Sequence, residues 1–358
     1  MKILVIGFAK IKYMPYMNFY INNLDKVKND VHLLYWNRDL KEEDTSFLKN
    51  VTLHEFKLYQ EDDVGKLFKL KAFLKFRKCA LDLVKNGKFD FVIFLHSLSG
   101  VLINDFLIKN YKGKYIFDYR DSTFEGFAQF KKIIHRLVKN SYATFVSSDA
   151  FRTLLPACDN IYTSHNLLED SLNHRNEKEQ YGTESDKIRI AFWGFIRHED
   201  INKEIIRKIA ADDRFELHYY GREQQIALNL KKFAEKIGAK NVFFHGEYVS
   251  EDRYEFVRNT DLIHNIYLDR NMMLAMGNKY YDGIIFKIPL LCMKGSFMAE
   301  RAENAGVGKG FDPYDDDFTN KIYSYYTSTN DLTCAYDAEL DRILKEYRAG
   351  IELLQNIY

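Results

Sequence analysis

The chain has 358 residues, of which 46% are apolar and 29% charged, and a formal net charge of +1. This length exceeds one typical hydrophobic core, so we expect two domains, and the near-neutral charge excludes a globally basic nucleic-acid-binding protein. The four cysteines are far apart and form neither a CxxC pair nor a Cys/His cluster, which argues against a disulfide framework or zinc site and favours the cytoplasm.

Short apolar runs alternate with longer helical patterns in the first half, which predicts a parallel sheet with crossover helices. The opening MKILVIGFAK has seven apolar residues between lysines, too few for a secretory signal, and predicts a buried strand. The longest apolar stretch, 89–108, is interrupted by charged and polar residues and is a poor membrane span. The predicted strands are Lys2–Phe8, Asp30–Tyr35, Leu53–Lys57, Phe91–Leu95, Lys114–Tyr119, Thr144–Ser147 and Asn160–Thr163. Helical patterns cover 14–28, 66–86, 98–111, 127–139 and 149–156.

A polar segment at 173–187, NHRNEKEQYGTESDK, has no hydrophobic period, and we interpret it as a linker. We therefore predict an α/β fold with domains at 1–172 and 187–335. The final residues, 336–358, form a predicted amphipathic helix that could pack across both domains and return to the first. The predicted strands after the linker are Ile188–Trp193, Phe215–Tyr220, Val242–His245, Leu262–Ile266 and Ile288–Met293. Helical patterns intervene at 201–211, 222–237, 250–258, 278–285 and 296–304.

The segment 271–310 carries the clearest functional signal. A turn of Gly277, Asn278 and Lys279 leads into a predicted helix that carries one carboxylate, Asp282. The backbone N–H groups of a helix start and the lysine ammonium together favour an anion such as a phosphate. The carboxylate one turn later suits a sugar or ribose hydroxyl. The combination predicts a nucleotide-sugar site.

Several segments occur in the order and at the spacing of a known family. In the second half they are IRIAFWGFIRHEDINKEII (188–206), LHYYGRE (217–223), NVFFHGEYVSEDRYEFVRNTDLIHNIY (241–267) and NKYYDGIIFKIPLL (278–291). The first half matches more loosely, through KFDFVIFLHS (88–97), YIFDYRDS (115–122), TFVSSDAF (144–151) and IYTSHNL (161–167). The chain thus resembles GT-B fold glycosyltransferases, and in particular the family-4 retaining enzymes that build bacterial surface polysaccharides.

This resemblance implies two Rossmann-like domains facing each other across a cleft, with the acceptor in the first and the donor in the second. The donor would be a UDP- or GDP-linked sugar, and the acceptor a glycan or lipid-linked glycan. The implied reaction is hexosyl transfer with retention of configuration, without a metal or cofactor. In the family's donor signature two glutamates are separated by seven residues, whereas here Leu274 and Asp282 stand at the two positions. The alternatives are a catalytically silent glycan- or nucleotide-binding partner and a sugar-nucleotide epimerase.

Charge grows on the diphosphate leaving group as the glycosidic bond breaks, so transfer requires positive charge preorganised beside the phosphates. The candidates are Arg197, Lys203 and Lys279, which lie near the ends of predicted strands, where such sheets bind ligands. Gly194 precedes Arg197 and would allow close approach of the backbone to a ligand. Each cation taken alone could equally be an ordinary surface residue on the rim of the sheet.

Four more residues are candidates for substrate contacts. The resemblance assigns Asp282 to a ribose hydroxyl, and Gly246 and Tyr248 to the loop that faces the base, where an aromatic ring could stack. Asp282 could instead be a first-turn acid that the helix dipole favours. His96 ends the strand FVIFL and could orient the acceptor or a donor hydroxyl, or be a satisfied polar residue at a strand end.

Two basic segments suggest contact with an anionic membrane. Residues 66–88 contain eight basic residues and one acid, interleaved with Leu and Phe, which suits an anionic membrane surface. FKKIIHRLVK at 130–139 has the same character. A core-packing helix with a solvated basic face is an equal alternative.

We assign no ligand to three other sequence patterns. Arg120 and Asp121 follow a predicted strand, and we interpret them as a structural ion pair rather than part of an acceptor site. GVGKG at 306–310 lacks the P-loop spacing and the Ser/Thr after the lysine. The Asp-x-Asp within Asp315–Asp317 lies in a polar loop after the last predicted strand, so we assign no metal there.

Overall fold

A computed structural model describes residues 1–60, 66–176, 186–268, 273–328 and 333–357. The chain divides into two compact units, one formed by Met1–His165 with Lys345–Tyr358 and the other by Asn166–Leu344. The first division precedes the predicted linker, of which residues 177–185 lie outside the described residues. The second division lies within the last helix rather than at residue 335, so that helix contributes residues to both units.

The first unit contains a parallel sheet with the strand order β3-β2-β1-β4-β5-β6-β7. This is a Rossmann-type order, and its switch point lies between β1 and β4, where such sheets bind ligands at the carboxyl ends of the strands. The central strands β4 and β5 are buried throughout, as expected when helices cover both faces. The strands are β1 (Lys2–Ile6), β2 (Asp30–Asn37), β3 (Val51–Lys57), β4 (Phe91–Leu95), β5 (Tyr115–Tyr119), β6 (Ala143–Val146) and β7 (Ile161–Thr163).

The helices of the first unit bury one face against this sheet. In α2 (Lys66–Gly87), buried residues recur at helical spacing, at Ala72, Phe76, Ala80 and Val84, which gives the helix one apolar face. The others are α1 (Met17–Asn23), α3 (Ser97–Leu102), α4 (Asn104–Asn110) and α5 (Ala128–Asn140), with 3₁₀ turns at Ile11–Tyr13 and Asp149–Leu154. The pattern at 98–111 is thus two short helices, and that at 149–156 is a 3₁₀ helix.

The second unit has a parallel sheet of the same design, with the strand order β10-β9-β8-β11-β12-β13. Its switch point lies between β8 and β11. The strands are β8 (Ile188–Trp193), β9 (Phe215–Tyr220), β10 (Val242–Gly246), β11 (Leu262–Asn265), β12 (Leu290–Met293) and β13 (Gly308–Phe311).

Helices of the second unit cover the sheet through apolar stripes. Four buried isoleucines of α6 (Glu199–Ala210), at 201, 205, 206 and 209, pack into the core beside β8 and β9. The remaining helices are α7 (Gln225–Lys236), α8 (Arg253–Arg258), α9 (Asn278–Phe286), α10 (Phe297–Ala305), α11 (Phe318–Ser328) and α12 (Thr333–Gln355), with 3₁₀ turns at Glu169–His174 and Ser250–Asp252. The two-domain α/β fold predicted from the sequence is confirmed.

Each predicted strand is present, but the sequence reasoning missed β13 and α11. The β13 sequence is GKGF, and its glycines reflect packing rather than a phosphate loop or a turn. A β-carbon on Gly308 would lie 2.7 Å from the Leu290 β-carbon and 2.8 Å from that of Ala302. The strand is glycine-rich because β12 and α10 press closely against it.

Candidate functional site

Three glycines mark the carboxyl ends of neighbouring strands in the second sheet. The Gly194 N–H donates to the Tyr220 carbonyl at 2.9 Å, and the Gly221 N–H donates to the Gly246 carbonyl at 2.8 Å. Gly194 has a φ of 115°, which disfavours other residues. A β-carbon on Gly221 would lie 2.2 Å from the Gly194 carbonyl oxygen. The loop after β8 is therefore held against the end of β9.

Asn202, in the first turns of α6, fixes the shape of that loop. Its side-chain amide donates to the carbonyls of Arg197 at 2.7 Å and His198 at 3.1 Å. Its own exposure is 3%, so these bonds are made away from water, where leaving a carbonyl unsatisfied is costly. Asn202 thus orients the loop that carries Arg197.

Two buried side chains hold Asn202 in turn. The Tyr219 hydroxyl donates to its Oδ1 at 2.8 Å. His264 Nδ1 accepts the Ile266 N–H, which leaves the proton on Nε2 to donate to the same Oδ1 at 3.1 Å. Burial, with Lys279 nearby, lowers the pKa of His264 to about 3, so the imidazole is neutral. This network links β9 and β11 to the loop after β8.

Helix α9 begins beside this loop and points its amino terminus outward. Its N-cap is Gly277, which offers no side-chain cap, and its first turn contains no acidic residue. Asn278 is exposed at the first helical position. The N–H groups and positive end of such a terminus attract an anion.

Lys279 lies one position further along and is buried, with 9% exposure. Its Nζ donates to the Trp193 carbonyl at 3.1 Å, and lies 4.1 Å from the Phe192 ring centroid and 5.1 Å from that of Tyr267. A β-carbon on Gly194 would be 4.0 Å from Nζ. Gly194 has no side chain, so only its backbone lies between the loop and the Lys279 ammonium on this side.

The Lys279 ammonium is therefore a desolvated charge. Its pKa is lowered from 10.5 to about 7, chiefly by burial, with Asp282 opposing the shift and Arg197 adding to it. A bound anion would restore the favourable environment that water provides elsewhere. A phosphate is therefore a chemically suitable ligand for this group.

The structure places Asp282 in the same buried cluster. The Trp193 indole donates to its Oδ2 at 2.8 Å, and Arg253 Nη1 lies 3.6 Å from its Oδ1. Burial raises the carboxyl pKa, against the opposing effects of Arg253, the indole and Lys279. Both oxygens of Asp282 thus contact protein groups. The ribose contact implied by the resemblance stays a prediction. It would require Oδ2 to accept from a ribose hydroxyl in place of the Trp193 indole.

Arg197 and Lys203 have different surroundings. Arg197 is exposed, with its guanidinium 4.8 Å from the Phe195 ring centroid, and its charge acts on Lys279. The Lys203 ammonium instead pairs with Glu199 one turn back on α6, and the other oxygen of Glu199 accepts from Asn229 of α7. The structure therefore groups Gly194, Arg197 and Lys279, and it directs Lys203 towards α7 instead.

An aromatic cluster lies at the ends of β9 and β10. Tyr220 stacks between His245, with centroids 4.2 Å apart, and Phe256, at 4.1 Å. Tyr248 is half-buried with its ring edge-on to Phe256 at 5.2 Å, and burial raises its pKa to about 12. The sequence reasoning named Gly246 and Tyr248 but missed Tyr220, whose position could have been inferred from its place as the last residue of β9.

In the first unit His96 follows β4 with unusual backbone geometry. Its φ is 78° and ψ is 145°, a region almost exclusive to glycine, so the side chain is retained at a conformational cost. Nδ1 accepts the Leu98 N–H at 3.3 Å, and Nε2 lies 4.0 Å from Asp121. Burial lowers the imidazole pKa, and Asp121 opposes that shift.

Arg120 forms an ion pair with Asp118 of β5, and the Arg120–Asp121 pair stays a prediction. Arg120 Nε donates to Asp118 at 2.8 Å, and its Nη2 donates to Ser164 at 2.9 Å. Successive side chains alternate between the faces of a strand, so the partner two residues back lies on the same side. Asp121 Oδ2 lies 4.0 Å from His96 Nε2.

The acidic run Asp315–Asp317 forms the turn before α11. Asp315 pairs with Lys321 and caps the turn through the Asp317 N–H. Among the side chains that the structure describes, no three His, Cys, Asp or Glu residues are grouped to hold a metal ion.

Replacing Asn202 by leucine is expected to weaken nucleotide binding at least tenfold and to reduce the free energy of unfolding by about 1–3 kcal/mol. The change would remove the side-chain partner of the Tyr219 and His264 donors and of the Arg197 carbonyl, whereas the His198 carbonyl keeps the Asn202 backbone N–H. The neighbouring substitution Lys203→Ala removes only a half-exposed ion pair and should cost less than about 1 kcal/mol. Urea denaturation and calorimetric titration with UDP measure both effects, and equal effects of the two substitutions would contradict this role.

No protein-family model matches the chain, and neither does any curated protein sequence. Solved structures do match over nearly the whole length. Sucrose-phosphate synthase from Thermosynechococcus elongatus is 10% identical, with a TM-score of 0.68 over 99% of this chain and 95% of that one. Anabaena Alr3699/HepE, solved with UDP and glucose, is 13% identical, with a TM-score of 0.65 over 99% of both chains. The lipopolysaccharide outer core galactosyltransferase WaaB is 12% identical, with a TM-score of 0.63 over 98% and 99%.

A UDP-GlcNAc 2-epimerase from Neisseria meningitidis, bound to UDP-GlcNAc, also matches, at 13% identity and a lower TM-score of 0.56 over 96% of this chain and all of that one. The match to the glycosyltransferases is therefore better than the match to this epimerase. At these identities the likeness is one of fold. The chain has the two-domain α/β fold of GT-B glycosyltransferases.

Proposed function

We propose that this protein is a glycosyltransferase that moves a hexose from a UDP- or GDP-linked donor to a glycan or lipid-linked acceptor. The observation that carries the proposal is the desolvated Lys279 ammonium beside Arg197 and the uncapped start of α9. All three sources of positive charge lie by the carboxyl end of β8, at the switch point of the sheet. A nucleoside diphosphate is the anion that this arrangement fits best.

The chemistry follows from where charge develops. As the glycosidic bond breaks, the diphosphate gains negative charge, which fixed cations and N–H groups stabilise without reorganisation. Lys279 stabilises that charge from a site with little water, where electrostatic interactions are strong. We propose transfer with retention through an oxocarbenium-like state, with no metal required.

The other predicted residues take supporting roles in this proposal. Gly194 and Gly246 allow the backbone to approach the nucleotide, and Tyr248 with Tyr220 provides aromatic surface for the base. His96 would orient the acceptor or a donor hydroxyl from the first unit. Asp282 would stabilise the Lys279 ammonium and contact the ribose.

Synthesis of bacterial surface polysaccharide is the proposed setting, on the basis of the motif order in the sequence and the fold shared with WaaB.

On α2, Leu70 is 53% and Leu74 is 55% exposed, and both lie among exposed basic residues such as Lys71 and Lys78. An apolar ridge flanked by cations suits an anionic bilayer surface. We therefore propose a peripheral position at the inner face of the cell membrane. No described helix is both long and apolar enough to span a bilayer.

Acceptor-dependent release of nucleoside diphosphate tests the proposal. The protein is incubated with a panel of UDP- and GDP-sugars, and diphosphate release is measured before and after addition of glycan or lipid-linked acceptors. Release that depends on an acceptor supports transfer. Release without any acceptor would instead indicate hydrolysis or an elimination of the epimerase type, and the fold shared with UDP-GlcNAc 2-epimerase makes an epimerase the second enzymatic candidate.

A binding protein without activity is the remaining alternative. It is favoured by Leu274, which stands where the resemblance would place the first donor glutamate. Thermal stabilisation by a nucleotide sugar with no turnover under any acceptor would identify this case and contradict the transferase proposal.

A further inference from the structure

Two exposed aromatic rings lie side by side in the loop that follows β5 in the first unit. Phe124 is 46% and Phe127 is 70% exposed, with ring centroids 6.5 Å apart. Phe130, in the first turn of α5, packs edge-on to Phe124 at 5.6 Å. A single exposed apolar side chain is ordinary, but neighbouring large ones form a patch of the kind that contacts a partner or a membrane. We call residues 122–130 the aromatic loop.

The aromatic loop is held in one conformation. The Phe127 N–H donates to the Phe124 carbonyl at 2.9 Å, which closes a turn. Glu125 is the single acid in this segment of the sequence, and its carboxylate accepts from the Tyr119 hydroxyl of β5 at 2.7 Å and from the Thr123 N–H. The negative charge is therefore engaged by the protein, and a loop that is already ordered loses little conformational freedom when it binds.

The start of α5 adds positive charge beside the rings. Phe127 is the N-cap of this helix and makes no side-chain cap, and the first turn contains no acid. Lys131 follows Phe127 by one helical turn and therefore lies on the same side of the helix, and Lys132 is also exposed. Lysines near a helix start are disfavoured by the helix dipole, whereas an anion there is favoured. Phosphate groups beside an apolar phase would match this arrangement.

The aromatic loop borders a strongly basic face of the first unit. Residues 66–140 contain 16 Lys and Arg residues and 6 Asp and Glu residues, although the net charge of the whole chain is only +1. The crossovers from β3 to β4 and from β5 to β6 run in the same direction across the sheet, so α2 and α5 lie on the same face. Exposed lysines on this face include Lys71 and Lys75 of α2 and Lys132 and Lys139 of α5.

We infer that the aromatic loop inserts into the interfacial region of an anionic bilayer. Phe124 and Phe127 enter the apolar layer, while Lys131, Lys132 and the N–H groups at the start of α5 bind lipid phosphates. The inference rests on the peripheral membrane position proposed above, since it names the segment that enters the bilayer. The carboxyl edge of the first sheet then faces the lipid.

A tryptophan introduced into the loop reports insertion directly. Both native tryptophans, Trp36 and Trp193, are buried, so the added indole of full-length Phe127→Trp is the one that lipid can reach. The vesicles contain equal parts of phosphatidylcholine and phosphatidylglycerol, with or without bromine on the acyl chains. We expect the fluorescence of the added indole to shift to the blue and to be quenched by the brominated lipid.

Val27→Trp is the matched control for this measurement. Val27 is 98% exposed and lies just before β2, at the opposite edge of the same sheet. Its indole should show neither the blue shift nor the quenching on the same vesicles. Equal quenching of the two introduced indoles would overturn the inference, because it would show contact without insertion of the aromatic loop.

Cosedimentation with the vesicles measures what each group contributes. Replacing Phe124 and Phe127 together by serine should weaken vesicle binding by about tenfold or more. Replacing Lys131 and Lys132 together by glutamine should weaken it by about tenfold at low salt, with a smaller effect on vesicles of phosphatidylcholine alone. Val27→Ser is the control and should leave binding unchanged. All of these side chains are exposed, so stability and affinity for UDP should also remain unchanged.

The outcomes separate this inference from the proposals on which it rests. Vesicle binding that persists in the double serine variant, or without quenching at position 127, would overturn insertion and leave α2 as the membrane contact. No binding of the unmodified protein would overturn both the insertion and the peripheral position. A dimer that the double serine variant converts to a monomer, with vesicle binding unchanged, would show that a second copy covers the rings and would likewise overturn the inference. Titration with UDP tests the donor site independently of all three.

Discussion

Replacing Lys279 by methionine is expected to abolish sugar transfer and yet to stabilise the folded protein at neutral pH. Transfer should fall by at least about 10²–10³-fold, the usual effect of removing one preorganised group that stabilises developing charge. Affinity for UDP should fall with it, because Nζ is a buried cation at the start of α9. Stability should rise because methionine fills a similar volume without placing a charge among Phe192, Tyr267 and the Trp193 carbonyl.

The sign of the stability change follows from the pKa. The folded-state pKa of Lys279, about 7, lies below its ordinary value of 10.5, a difference worth about 5 kcal/mol. Well below pH 7, both folded and unfolded chains carry the charge, so the folded state bears the full cost of burying it. That cost diminishes as the pH rises from about 7 to 10.5. Because the variant also loses the bond to Trp193, we expect a net gain of about 1–3 kcal/mol near pH 7.

Denaturation of both proteins at pH 6 to 10 measures this effect, with transfer assayed in parallel. Lys203→Met is the matched control, because its ammonium is half-exposed and pairs with Glu199, and it should change neither quantity greatly. Full transfer activity in Lys279→Met would remove the site assignment. A loss of stability that is the same at every pH would show that the ammonium is not desolvated.

Binding of UDP should require uptake of a proton above neutral pH. A diphosphate favours the charged form of Lys279, so its pKa must be higher in the complex than the value of about 7 in the free protein. Linkage then predicts that affinity falls by up to about tenfold for each pH unit above 7. The nucleotide phosphates, with a last pKa near 6, contribute little to this slope.

Calorimetric titration with UDP at pH 7 to 9, in buffers of different ionisation enthalpy, measures both the affinity and the proton uptake. Lys279→Gln, which cannot be protonated, should bind weakly with no such slope and no uptake. A wild-type affinity that is independent of pH over this range would contradict a titrating lysine at the phosphates.

The fold was largely predictable from the sequence because buried parallel strands leave clear apolar runs. Ile188–Trp193, Phe215–Tyr220 and Phe91–Leu95 were predicted to the residue. By contrast, β13 was not predicted. It packs closely against its neighbouring strand and helix because Gly308 and Gly310 have no side chains, and this close packing is visible only in the structure.

The site was predictable only in part. The turn at Gly277–Lys279 and the glycine after β8 carry local signals, and the structure brings Gly194, Arg197 and Lys279 together. Lys203 and Asn202 differ by one position, and only the helix register shows that the asparagine faces inward. The partners of Asp282 and the desolvation of Lys279 arise from tertiary contacts with β8 and α8, which no local pattern encodes.

A crystal structure of the protein with UDP would test the central claim most directly. We predict the diphosphate at the start of α9, with an oxygen within hydrogen-bond distance of Lys279 Nζ, Arg197 alongside, and the loop after Gly194 lining the nucleotide. A diphosphate bound elsewhere, or a complex in which Lys279 Nζ contacts only the Trp193 carbonyl, would contradict the account.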